Sequence, residues 1–334
     1  MSNSSNHSDI KFGIQSNAER YCWAAYFIFG ILSSVVGDTL ILVASSHKGA
    51  FKINKILVTI IKHIAVSDLA NTIIILLPVT ISVLANSRIL GTILCYTMAY
   101  ISIITYQAGM SLIALLTAAK FLILRYPVMA ATWTIKRVHQ VCAFIWVSSF
   151  TAPILLLVID RGDVAFDYRV YACMYGFTSN YWTTIKPTTF FLFGILPNIA
   201  IVATTVPTLK YIFDARKSAK RVQGSVPWQG ALTVVFNSAV YCISSLPYMV
   251  YNFVEGFVNE NPLGLFHVDY HRISAFLLMI NVVANFYIYV FTIKSFRRFL
   301  FSKFRQYFPF QSSMPMLRKR LPGVGEGDQG NFLW

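Results

Sequence analysis

Charge is scarce in this chain. Only 12% of its 334 residues are Asp, Glu, Lys or Arg, roughly half the share found in ordinary soluble domains. A surface facing water everywhere needs more, and the 56% hydrophobic share, with 27 Phe and 18 Tyr, suits a protein embedded in lipid. Cysteine is scarce too. The five cysteines (Cys22, Cys95, Cys142, Cys173 and Cys242) are too few for a disulfide scaffold, and no CxxC pair suggests zinc. No cleavable leader is visible. The opening "MSNSSNHSDIKFGIQSNAERY" is polar and lacks a short apolar core with a small-residue cleavage site, so the first apolar helix is expected to act as its own signal. Metal-ligand clusters, nucleophile elbows and phosphate loops are absent as well, so enzyme activity is not expected.

Long apolar runs are what the chain does have. A spanning helix needs about 20 mostly apolar residues. Seven stretches qualify: 21–46, 55–84, 92–124, 137–159, 184–210, 228–254 and 270–293. The polar segments between them are too short for a second folded domain, and no internal repeat supports an inverted-repeat transporter. The expected fold is an all-α membrane protein, a seven-transmembrane helix bundle with a short amphipathic eighth helix. Residues 1–20 form an N-terminal extracellular tail, 21–293 the bundle, 294–308 an amphipathic juxtamembrane helix, and 309–334 a Pro/Gly-punctuated, disordered cytoplasmic tail. In "FTIKSFRRFLFSKFRQYF", Phe296, Leu300 and Phe304 form one stripe, joined by Phe299, with Arg297, Arg298 and Arg305 beside it. That pattern lies in a membrane interface rather than across it.

The net charge of +15 would suit nucleic acid, so the placement of the bases decides. With the N-terminus outside, the outer segments hold seven (Lys11, Arg20, Arg88, Arg161, Arg169, Lys186 and Arg272), and the other 21 of the 28 fall inside. This one-sidedness orients the bundle with its C-terminus in the cytosol. It points the surplus at anionic lipid head groups and an acidic partner, not at nucleic acid. Two glycosylation acceptors, Asn3 and Asn6, agree with an outer N-terminus. The expected location is therefore the plasma membrane, with several passes.

Polar groups at membrane depth normally face the bundle interior. Asp38 lies mid-span in "VVGDTLILV" and Asp68 in "IAVSDLANT". Asn281 and Asn285, four apart in "NVVANFYIY", share one helix face. If the four converge, either a cation enters between the acids or one acid keeps its proton. Prolines mark most spans: Pro78, Pro153, Pro197, Pro207 and Pro247. Mid-helix, Pro247 in "CISSLPYMVY" can serve as a hinge.

Over residues 21–308, the order and spacing of these marks resemble a rhodopsin-like (class A) G-protein-coupled receptor, of the invertebrate orphan or peptide-receptor kind. "GDTLILV" stands where the family has Gly-Asn, and "IAVSDLA" fits Leu-Ala-x-x-Asp. Trp146 with Pro153 fits the fourth helix and Pro197 the fifth. "YCISSLPY" lies over Phe-x-x-Cys-Trp-x-Pro-Tyr, and "NFYIY" over Asn-Pro-x-x-Tyr. The resemblance implies a cell-surface receptor that passes an extracellular ligand signal to a heterotrimeric G protein. It also implies a disulfide from Cys95 to Cys173, a sodium site at Asp38, Asp68, Asn281 and Asn285, and G-protein-facing Lys120, Phe121 and Tyr289. No cofactor other than that sodium ion is implied.

Several family residues are replaced. Where the third helix ends with an acid, an arginine and an aromatic, this chain has Ala119, Lys120 and Phe121, followed by Pro127. Lysine keeps the charge without the planar fork. With no acid beside it or in "GSVPWQGAL", no resting salt bridge is available. Ser245 replaces the tryptophan before Pro247, Phe286 replaces the seventh-helix proline, and Gly109 stands where many members have serine. Such losses keep alive a receptor-like protein that no longer couples, with a transporter as a more distant alternative.

A retinal Schiff base would need a lysine in 273–293, and there is none. An amine receptor would need an aspartate where Ser102 stands. The pocket expected from the resemblance comprises Ser102, Tyr106, Gln107, Tyr248, Tyr251, Asn252, Glu255 and His271. With outer acids Asp160, Asp163, Asp167, Glu260 and Asp269, such a mouth suits a peptide, in particular a basic one.

Overall fold

The computed structural model describes residues 16–47, 49–51, 53–160, 164–168, 170–175, 191–219, 228–257 and 265–307. Asn3, Asn6, the acids Asp163 and Glu260, and the tail from 308 lie outside the described residues. So do the side chains of Asn252, Glu255, Asp160 and Asp269.

Seven long helices carry the described chain: α1 (Asn17–Ser46), α2 (Lys55–Ala85), α3 (Thr92–Arg125), α4 (Ile135–Asp160), α5 (Leu196–Ala219), α6 (Trp228–Phe257) and α7 (Leu265–Thr292). Six of the seven are apolar enough along at least one stretch to cross a bilayer. The other, α4, has 26 residues, about 39 Å at 1.5 Å per residue, which also exceeds the hydrocarbon thickness. Burial has a helical period. In α1 the buried residues are Ala24, Phe27, Gly30, Ser34, Gly37, Asp38, Ile41 and Ala44, while Phe29, Leu32, Val36 and Val43 face outward. An outward apolar face is stable only against lipid. The chain is a multi-pass membrane protein.

Among the described residues, the ends depart most from the expected spans in three places. α1 begins at Asn17 rather than 21, α7 begins at Leu265 rather than 270, and α5 runs past 210 to Ala219. In α5 the extension "YIFDARKSA" combines good helix formers with charge, so the helix outlasts the membrane. Two prolines act through the register of the backbone. One turn of π-helix spans Thr72–Leu76, where the Leu77 amide reaches back to the Thr72 carbonyl just before Pro78. Another spans Phe191–Ile195, just before Pro197. Proline has no N–H for the carbonyl one turn back, and a five-residue register absorbs that gap.

The chain is not helical throughout. Strands β1 (Val164–Asp167) and β2 (Ala172–Tyr175) form an antiparallel hairpin with Phe166 opposite Cys173. Val164, Phe166 and Tyr175 favour strands, and the disulfide from Cys95 to Cys173 pins β2 to the N-terminal end of α3. The hairpin turn holds Tyr171 in the left-handed region at φ 52°, and the helix-ending Asn86 is there at φ 51°. The two meet: Tyr171 Oη donates to Asn86 Oδ1 at 2.6 Å, tying the hairpin to the C-terminal end of α2.

At the end of the bundle away from the hairpin, α8 (Lys294–Tyr307) follows α7 after a one-residue break. Phe296 is buried and stacks on Phe51 at 4.8 Å, while Phe301 and Phe304 stay exposed. One face thus anchors to the bundle and another is left for lipid, as an interfacial helix requires.

Candidate functional site

Near the middle of the bundle, α1, α2 and α7 are joined by polar side chains. Ser34 Oγ lies 2.7 Å from Asp38 Oδ2 and 2.7 Å from Thr72 Oγ1. Thr72 Oγ1 lies 2.8 Å from the Asp68 carbonyl, and Asn285 Nδ2 donates to Asp68 Oδ2 at 2.7 Å. All five residues are buried. The other oxygen of Asp38, Oδ1, is shielded from solvent without a hydrogen-bond partner.

Asn285 joins the acids, as its place in the sequence suggested. Asn281 does not. Its Oδ1 accepts from Ser244 Oγ of α6 at 2.7 Å, so the shared helix face serves two different neighbours. Gly109 leaves space in α3, where a β-carbon would stand 3.5 Å from Ser67 Oγ. Ser34 and Thr72 were missed by sequence reasoning, although both sit four residues from an acid on the same helix face, the spacing that would have exposed them.

Above this chain lies a cavity of about 230 Å³, reaching from Asp68, Asn281 and Asn285 up to the hairpin residues Val170, Ala172, Cys173 and Met174. Of the residues expected at a ligand pocket, Ser102, Tyr106, Gln107 and Tyr248 line it. Tyr251 and His271 do not. They stack on each other with ring centroids 4.6 Å apart, and both are buried. Beside them Arg272 pairs with Glu19 at 3.2 Å, tying α7 to the start of α1. Met249 and Gly194 also line the cavity, and a β-carbon on Gly194 would collide with the Met249 thioether.

Toward the α8 end of the bundle, neutral hydrogen bonds join the helices. Thr204 Oγ1 donates to Thr117 at 3.0 Å, Thr205 Oγ1 to Ser238 at 2.8 Å, and Thr233 Oγ1 to Thr292 at 2.7 Å. Asn237 Nδ2 donates to Tyr289 Oη at 3.3 Å, and Tyr289 is wholly buried. Lys120 is only 6% exposed and forms no ion pair with a described residue, while Phe121 packs edge-on to Tyr126 at 6.1 Å. Higher in α6, Ser245 donates to Asn198 Oδ1 at 3.1 Å, and Asn198 in turn donates to the Gly194 carbonyl in the π turn. A small hydroxyl therefore joins α6 to α5 at the tryptophan's place.

The family model for the seven-transmembrane receptors of the rhodopsin family matches residues 37–289, about three quarters of the chain. This chain belongs to that family, which is a family of receptors and not of enzymes. A search of curated proteins finds no match to it.

Proposed function

We propose that this receptor sits in the plasma membrane with its N-terminus outside, binds a ligand in the cavity beneath the hairpin, and couples to a heterotrimeric G protein at the inner face. One observation carries the reading: a disulfide-roofed cavity stands directly above a buried polar chain that ties α1, α2 and α7 together. A ligand pressing on the cavity floor acts on those helices at once. The one-sided placement of the bases supports the orientation. At the inner end, Lys120 is the cation within the bundle that a G protein would meet when α5 and α6 part.

The polar chain has a proton count of its own. Three short oxygen–oxygen contacts link Asp38, Ser34, Thr72 and the Asp68 carbonyl, and the two hydroxyls supply only two protons. The third resides on the Asp38 carboxyl, which makes Asp38 a neutral donor, an equivalent of the family's asparagine. Its bare Oδ1 agrees, since a buried carbonyl oxygen without a partner costs less than an unpaired carboxylate oxygen. That leaves one formal negative charge, Asp68, in the site. The oxygens of Asp68, Asn285 and Asp38 Oδ1 form a donor set of the hard kind, suited to sodium, which would supply charge neutralisation there.

Of the outer acids that suggest a basic peptide, Asp167 is the one whose side chain is described. The cavity itself supports a smaller ligand. Coupling is tested by purifying the full chain into lipid nanodiscs and measuring GTP-analogue uptake by G proteins of each class. Uptake above receptor-free discs for at least one class is expected. No acceleration for any class, with or without a stabilising small molecule, would leave a receptor-like protein that does not couple. Epitope tags on intact cells should show the amino end outside and the carboxyl end inside; any other arrangement overturns the orientation.

A further inference from the structure

We propose that His63 of α2 and His139 of α4 form a site for a transition-metal cation of the zinc class, which bridges the two helices. The site lies outside the ligand cavity and does not rest on the receptor reading.

Geometry is the first argument. His63 Nε2 lies 3.3 Å from His139 Nδ1, with the ring centroids 5.5 Å apart and the planes at 69°. Two imidazole nitrogens bound to one tetrahedral zinc at about 2.0–2.1 Å stand roughly 3.3–3.4 Å from each other. The helices therefore already hold the rings at the separation that a shared metal imposes. To meet at the metal, each lone pair must swing off the line between the nitrogens. The terminal torsion of histidine is broad, so side-chain rotation supplies that swing.

Protonation and access supply the second. Two imidazolium rings cannot meet nitrogen to nitrogen, because each would offer only an N–H, so the contact requires a lone pair on at least one ring. The neutral ring is the form that binds metal. Among the described residues neither histidine pairs with a carboxylate, which would favour the charged form. His139 is exposed and His63 half-buried, and their contact is open to solvent. A hydrated ion can reach it and keep water in the two remaining tetrahedral positions. The backbone from residue 53 to residue 160 is described throughout, covering both helices and the α3 that packs against each.

Charge sets the strength. Lys62 adjoins His63 in the chain, and Lys136 stands about one turn before His139. Like charge nearby weakens the hold on a divalent cation, so the site is reversible and of low affinity. His63 lies about two turns into α2 and His139 about one turn into α4. A metal there joins the starts of the two helices, and with α3 packed against both it closes a ring of three.

The test uses the full chain in lipid nanodiscs at neutral pH, free of any polyhistidine tag. Zinc is expected to raise the thermal unfolding midpoint saturably, and copper(II) to do so at lower concentration. Magnesium and calcium, which prefer oxygen ligands, should do nothing. His63→Gln or His139→Gln should raise the half-saturating zinc concentration at least about tenfold, the mark of a lost ligand. His47→Gln, at another exposed histidine, should leave it unchanged. One equivalent of copper(II) gives a second readout by electron paramagnetic resonance. Hyperfine splitting from two imidazole nitrogens is expected in the wild type and from one in each single variant. That spectrum reads the ligand set even where a variant's midpoint falls. The proposal fails if neither zinc nor copper(II) shifts the midpoint, which leaves the contact a hydrogen bond only. It fails equally if the shift and the two-nitrogen spectrum survive both substitutions, or if His47→Gln abolishes them.

Discussion

A β-carbon placed on Gly37 would stand 2.6 Å from both Cβ and Cγ of Phe286. Gly37 is therefore the space that Phe286 fills, where the family's seventh helix has a proline. With phenylalanine there, α7 continues unbroken from Leu265 to Thr292, and the ring meets Phe296 of α8 edge-on at 6.3 Å. Real β-carbons essentially never approach a neighbour so closely, and the contact lies at the root of the Phe286 side chain, so rotation cannot relieve it. Gly37→Ala is expected to destabilise by about 1–3 kcal/mol, the usual range for overpacking. Phe286→Ala opens the space, and the double variant should recover part of that loss. Thermal unfolding of the four proteins gives the coupling directly. Additive losses would mean that the two residues do not share this space.

Proton counting in the polar chain predicts that Asp38→Asn is nearly silent. The amide replaces a carboxylic acid as donor to Ser34, so the change should stay within about 1 kcal/mol, whereas Asp38→Ala leaves the chain a proton short and should cost about 1–3 kcal/mol. Infrared spectra at neutral pH provide a readout that stability does not. A carboxylic-acid carbonyl band present in the wild type should vanish in Asp38→Asn and persist in Asp68→Asn. The reverse pattern would place the proton on the other acid.

Sodium should stabilise the protein through Asp68. Replacing sodium with N-methylglucamine is expected to lower the unfolding midpoint of the wild type and not of Asp68→Asn. At a sodium concentration 100-fold above its dissociation constant the effect reaches about 2.7 kcal/mol. A wild type indifferent to the exchange would remove the ion from the site.

The seven spans were legible because lipid demands long, unmixed apolar runs, and no other fold leaves that mark so plainly. The disulfide was legible only through the family resemblance. Three features were not. The hairpin occupies two four-residue stretches whose pairing depends on the tether at Cys173. The π turns leave no composition signal beyond Pro78 and Pro197 themselves. The parting of Asn281 from Asn285 reflects which neighbour each helix face meets, Ser244 of α6 or Asp68 of α2, and spacing along one helix carries no such information. Four of the six expected pocket residues with described side chains line the cavity for the same reason: Tyr106 and Tyr248 look inward, while Tyr251 and His271 stack on each other.

Lys120 tests the inner face. Lys120 is buried and forms no ion pair with a described residue, so a G protein would reach it only if the helices around it part. Lys120→Ala is expected to lower agonist-free nucleotide exchange several-fold while the unfolding midpoint stays near that of the wild type. Exchange at the wild-type level would reduce Lys120 to a packing residue.

No salt bridge between described residues joins the helices around Lys120; hydroxyl and amide pairs do. Thr205 with Ser238 joins α5 to α6, Thr117 with Thr204 joins α3 to α5, and Asn237 with Tyr289 joins α6 to α7. Interhelical hydrogen bonds in membranes average about 0.6 kcal/mol, so each pair shifts an open–closed equilibrium by only about threefold. A resting state held this way opens more readily than one held by a buried ion pair. Thr205→Val keeps the shape and removes the donor, so basal exchange should rise roughly two- to threefold. Adding Tyr289→Phe would confuse the release of the latch with loss of a G-protein-facing group, so the second lesion should be Thr204→Val, which lies apart from Lys120 in sequence and acts on a different helix pair. The two together should multiply, approaching tenfold over the wild type. Basal exchange that stays flat across the single and double variants, with unfolding midpoints unchanged, would show that these bonds re-form elsewhere in the open state and that the closed state is held by packing alone.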